Sequence, residues 1–200
     1  RRRLLALGGA GGAAMAVGTA YSWGYAPYRV EYTSHDLPTA GLPSRWHHAS
    51  VAHLTDLHVG PHVPDRYLRA VFEQVDAFAP DVVVITGDLT SSEPGVTDHA
   101  RRVYADLPHG SLATLAVLGN HDYGPTWNDL DAANTLVDAL TPLGIRVLRN
   151  ESIEVDGLTF FGVEDLWSST LDLARATRAL TPGVPTLGLI HNPDALDQPG

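Results

Sequence analysis

Residues 81–90 read DVVVITGDLT, and every position from Val82 to Thr86 is β-branched. Such a run is stiff at the first side-chain torsion and favours a strand. Since neither face of it is polar, it predicts a strand buried on both sides, as in the interior of a parallel sheet. The run stops at Gly87-Asp88, a pair that suits a turn. A carboxylate at that end also lies where open α/β sheets gather their ligands, at the carboxyl ends of the strands.

On both sides the chain alternates short apolar runs with amphipathic stretches. Upstream, ASVAHLT (49–55) reads as a strand. After Pro64, the residues Leu68, Val71, Phe72, Val75 and Phe78 recur at three- and four-residue steps, which predicts a helix. Downstream come a weaker helix from Ala100 to Leu107, the strand LATLAVL (112–118) and a helix carrying Leu130, Ala133, Leu136, Val137 and Leu140 on one side. IRVLRN (145–150) and SIEV (152–155) follow as strands, and Asp156-Gly157 turns the chain into LTFFGV (158–163) as a hairpin. A last helix from Leu171 to Leu180 leads to the strand TLGLI (186–190). The pattern is that of a layered α/β domain with an antiparallel hairpin at a sheet edge.

The bulk composition removes several classes of chemistry. A formal charge of -10 disfavours a general electrostatic grip on nucleic acid, so no nucleic-acid partner is expected. The chain has no cysteine, which excludes disulfides, thiolate nucleophiles and thiolate metal ligands and leaves oxygen and imidazole donors. All its basic side chains are arginine, so a lysine Schiff base is excluded too. Residues 1–28 open with Arg1-Arg2-Arg3 and carry no further charge, which predicts an export signal or a membrane anchor. Arg1-Arg2-Arg3-Leu4-Leu5 resembles a twin-arginine export signal. Either reading links the protein to the membrane and puts the domain on the extracytoplasmic side. Residues 29–48, rich in proline, read as a connector, and residues 49–200 as the domain.

Strand after strand ends in polar residues of the same kinds. HLT runs into Asp56-Leu57-His58, VVVIT into Gly87-Asp88, LAVL into Gly119-Asn120-His121-Asp122, and LGLI into His191-Asn192-Pro193. Each alone is ordinary turn or capping chemistry. Together, on successive apolar strands, they place oxygen and imidazole donors at one edge of a sheet. TDLHVG, TGDLT, LGNHDYG and LIHNPD, in that order, resemble the successive blocks of the calcineurin-like metallophosphoesterase family, and the leader is similar to that of its membrane-associated bacterial branch. The resemblance runs from about Val51 to the C-terminus. It implies the family's β-sandwich flanked by helices, and a hydrolase that cleaves a phosphomonoester or phosphodiester of a small molecule or lipid with a hydroxide activated by two divalent metal ions.

Two such ions need one ligand that bridges them, which a carboxylate can do and an imidazole nitrogen cannot. Asp88, central among the strand ends, is the natural bridge. By resemblance, Asp56 and His58 bind one ion with Asp88, and Asn120 and His191 bind the other. This donor set suits Mn, Fe, Zn or similar ions. The resemblance makes His121 the group beside the leaving oxygen, with Asp122 holding its ring. The family's last block, Gly-His-x-His, is absent, and the sequence is read as truncated before it. The alternative is a phosphoesterase-like module that binds a partner and no longer cleaves. His53 reads as a packed or hydrogen-bonded core residue. Glu164 and Asp165 read as supporting or structural acids, and Trp127 and Trp167 as either core or substrate wall.

Overall fold

The computed structural model describes residues 29–198 and, before them, positions 15, 17–19, 21, 22 and 24, which are helical. Most of the expected export signal or anchor lies outside the described residues. Among the described residues no helix is long and apolar enough to cross a membrane. The chain divides into two units, Arg1–Leu37 and Pro38–Gly200. The second begins inside the segment expected to be a connector. That segment contributes Trp46 to the domain core, where the indole is 5% exposed, tilts against Phe160 and donates to the Asp156 carbonyl at 3.1 Å.

Strands β1 (Val51–Leu54), β2 (Val82–Thr86), β3 (Ala113–Val117) and β4 (Arg146–Val147) form one parallel sheet in the order β1-β2-β3-β4. Helices α1 (Asp65–Phe78), α2 (Thr97–Tyr104) and α3 (Leu130–Leu140) are the crossovers. Because successive right-handed crossovers all step the same way, the helices collect on one face of this sheet. The pleat divides β2 and β3 between two cores. Ile85, Ala116 and Leu118 meet the helices, together with Leu68, Phe72, Tyr104 and Leu136. Val82, Val84, Leu115 and Val117 meet a second sheet through Leu158, Phe160 and Leu189. The all-β-branched run is buried at every position. Each buried valine or isoleucine of the run stabilises the fold by roughly 1.5–3 kcal/mol.

The second sheet is made of β5 (Glu151–Val155), β6 (Leu158–Gly162) and β7 (Thr186–Leu189), with β5 antiparallel and β7 parallel to β6. Asp156 at φ 45° and Gly157 at φ 84° turn the hairpin, as a two-residue loop with both centres left-handed requires. The result is an α/β sandwich: helices, parallel sheet, mixed sheet. Several elements are shorter than the sequence predicts. β4 keeps only two residues and the last helix, α4 (Leu173–Thr177), has five, whereas α2 keeps its expected length and lies three residues earlier, from Thr97 to Tyr104. The apolar stripe of α1 also stops one turn early. Ala79 takes a left-handed cap at φ 49° ahead of Pro80, and the side chain of Phe78 is left 58% exposed.

Candidate metal centre

β1 and β2 do not separate where their strands end. The Asp56 N–H donates to the Gly87 carbonyl at 3.1 Å, His58 to Asp88 at 2.9 Å and Val59 to Leu89 at 3.0 Å, so the two loops stay zipped together. To do this Asp56, His58 and Asp88 take φ values of 54°, 45° and 50°, and Gly87 takes 92°. Three non-glycine residues in the left-handed region at two adjoining strand ends are unusual, and such conformations gather at functional sites. The His58 ring thereby lies 3.4 Å from the Asp88 carboxylate and 3.9 Å from that of Asp56. Glycine is required at two neighbours: a Cβ on Gly87 would lie 2.5 Å from the His191 ring, and one on Gly119 would lie 2.9 Å from its Cδ2.

Asp88 is buried, and its two carboxylate oxygens face different imidazoles. Oδ2 is 3.4 Å from His58 Nε2, and Oδ1 is 3.5 Å from His191 Nε2. Both gaps are too wide for a good hydrogen bond. They match the separation of about 3.4 Å between two donors that share a cation at bond lengths near 2.1 Å and a tetrahedral angle. The His191 Nδ1 lies 2.8 Å from the Thr86 carbonyl, which can only accept. Nδ1 therefore carries a proton, which leaves Nε2 as the nitrogen that would offer a lone pair to a cation. Among the described residues, two groups of donors could each hold a cation, Asp56-Asp88-His191 and His58-Asp88-His121. Asp88 belongs to both. Asp56 shares one group with His191 and also lies 3.9 Å from His58. The Asn120 side chain has no hydrogen-bond partner among the described residues, at the start of a short 3₁₀ helix, Asn120–Tyr123. The donor chemistry and spacing fit divalent cations.

Asp122 does not hold the His121 ring. Its carboxylate accepts from the backbone N–H groups of Gly119 at 2.9 Å, Thr90 at 2.8 Å and Leu89 at 3.2 Å, and from the Thr90 hydroxyl at 2.9 Å. Burial, with Asp88 adding to it, pushes the Asp122 carboxyl up to about 6 against these bonds. The residue is a brace between the loops after β2 and β3. The atom against His121 Nδ1 is the Ser92 hydroxyl, at 2.7 Å. A loop serine such as Ser92 carries no sequence signal of this kind.

The other candidates fall around this centre. His53 lies on an exposed part of β1, not in the core, with Nε2 2.6 Å from the Thr86 hydroxyl. Glu164 accepts from Arg149 at 2.7 Å and from the Tyr123 hydroxyl, bracing the 3₁₀ helix from behind. Asp165 is 2% exposed; one of its oxygens accepts from the Trp167 N–H at 2.8 Å and the other has no partner. Burial raises the pKa of Asp165, which also feels the charges of His191 and Asp88.

The model of the calcineurin-like phosphoesterase family matches residues 49–195 of this chain. The chain belongs to that family. Among its relatives in the family, the transmembrane protein with metallophosphoesterase domain from Bos taurus is 29% identical over 178 residues, covering 80% of this chain and 39% of the relative. The UDP-2,3-diacylglucosamine pyrophosphatase LpxG of Chlamydia trachomatis is 24% identical over 209 residues, covering 80% of this chain and 64% of LpxG. The metallophosphoesterase YkuE of Bacillus subtilis is 25% identical over 186 residues, covering 86% of this chain and 62% of YkuE. The chain thus spans less than two thirds of the length of each of these phosphoesterase relatives. The helix-flanked parallel sheet of a phosphoesterase is the α/β fold expected from the strand pattern.

Proposed function

We propose that this chain hydrolyses a phosphomonoester or phosphodiester bond on a pair of divalent cations held by Asp56, His58, Asp88, Asn120 and His191. The observation that carries the reading is Asp88, one buried carboxylate with each oxygen toward a different imidazole. When bound, such a pair polarises the phosphoryl group and makes hydroxide available near neutral pH. The residues supply the rest. The Thr86 carbonyl fixes the tautomer of His191, Asp88 sets the distance between the two donor groups, and His121 hands a proton to the departing oxygen while Ser92 holds its ring. The His58-Asp88-His121 group also allows His121 to be a ligand, and the metal content of His121→Ala separates the two roles.

The substrate we propose is a phosphoester presented at a lipid surface outside the cytoplasm. Support comes from the leading arginines and from a relative named for a diacylglucosamine nucleotide. The test is metal analysis of the full-length protein, with turnover of bis-p-nitrophenyl phosphate compared with that of p-nitrophenyl phosphate. Asp88→Asn is expected to lower metal affinity more than about 100-fold and to abolish turnover of both esters. Wild-type metal content and rate in that variant would refute the bridge.

A further inference from the structure

Four aromatic rings run outward from the metal centre. His58 meets His121 edge-on at a centroid distance of 4.8 Å; His121 meets Trp127 at 5.9 Å and 44°; Trp127 meets Trp167 at 5.7 Å and 72°. The outer two are not core residues. Trp127 is 37% exposed and Trp167 is 56% exposed, whereas the core indole of Trp46 is 5% exposed. Both are held in place by the backbone. Trp127 sits at φ 60°, a conformation that a bulky side chain rarely adopts, and its N–H donates to the Gly124 carbonyl at 3.1 Å. Trp167 follows the buried Asp165, whose carboxylate accepts its N–H at 2.8 Å. Strained and capped backbone of this sort, spent on presenting apolar rings to solvent, points to a ligand.

We infer that Trp127 and Trp167 form a subsite for a flat aromatic leaving group, attached to the phosphoryl oxygen directly or through one or two atoms. The inference rests on the dimetal reading above, because it takes the His121 side of the centre as the side from which the leaving group departs. The rings alternate in tilt, and an aromatic ring that enters beside Trp127 takes the next place in that arrangement, face to one indole and edge to the other. A saturated ring of the same size gains the apolar area and loses the ring-to-ring contact. The distance from His121 also limits the reach, so the wall reads the group nearest the scissile bond.

The deciding experiment is calorimetric titration of the full-length protein, loaded with Mn²⁺, with methylphosphonate, cyclohexylphosphonate and phenylphosphonate. Phenylphosphonate is expected to bind about three- to tenfold more tightly than cyclohexylphosphonate, and tighter still than methylphosphonate. In Trp127→Leu and Trp167→Leu the advantage of phenyl over cyclohexyl disappears while methylphosphonate keeps its affinity. Equal binding of phenyl and methyl ligands would overturn the subsite and leave the metal centre standing. Equal binding of phenyl and cyclohexyl ligands would overturn its aromatic character. Failure of all three to bind would sink the metal reading, and the subsite with it. The comparison on the unaltered protein decides the matter without any variant.

Discussion

His121 and Asp122 are neighbours in sequence and do different work, because on a 3₁₀ helix of about three residues per turn adjacent side chains point about 120° apart. One faces the cluster with His58 and Asp88, and the other turns into the protein to brace Thr90 and Gly119. If His121 supplies the proton, His121→Ala keeps its metal and loses about 10²- to 10⁴-fold in kcat, as measured by metal analysis beside steady-state kinetics. Loss of bound metal in that variant would make it a ligand instead. Ser92→Ala is expected to lower kcat about tenfold with KM unchanged and to move the alkaline limb of the pH–rate profile, where a proton donor is lost, and Ser92→Thr should restore both. An unmoved profile would reduce Ser92 to a loop contact. The residues that were legible in the sequence are those whose chemistry is out of place on their element. Asp88 stands out as a charge after an unbroken β-branched run, but Ser92 is one hydroxyl among many in a loop.

Among the elements, strands were easier to read than their ends. β2 follows from its composition, and α1 from its apolar spacing, yet β4, at the edge of the sheet, shrinks to two residues. The sequence contained the alternation of β6, buried at Leu158, Phe160 and Gly162, but not which surface that face would meet. Nor could it show which way the polar residues at the strand ends would turn, since direction is set by left-handed backbone at Asp56, His58 and Asp88. The joint between the β2 and β3 loops is where this matters most. Asp122→Ala leaves four donors without their acceptor, three of them buried backbone N–H groups, and is expected to cost about 3 kcal/mol or more. Urea unfolding of the metal-free protein measures it; a change under about 1 kcal/mol would show that the loops are held by something else.

At the scale of the whole molecule, the centre depends on two sheets keeping their distance, because Asp56, Asp88 and Asn120 come from the parallel sheet and His191 follows β7 of the mixed one. Phe160, fully buried between the sheets, sets that spacing with Trp46. Phe160→Ala is expected to destabilise the domain by about 3–5 kcal/mol and to weaken metal binding without touching a ligand. A calorimetric melt with a metal titration checks both, and unchanged affinity in a folded variant would uncouple the sheets from the centre. The brace of Asp122 has a further consequence for when the site takes shape. Since the amides of Leu89, Thr90 and Gly119 are sealed by a carboxylate rather than by the cations, they should stay among the slowest to take up deuterium in chelator as in Mn²⁺, opening only when the whole domain does. The cations would then enter a mould already set, and the rate of their capture should follow their concentration without a plateau.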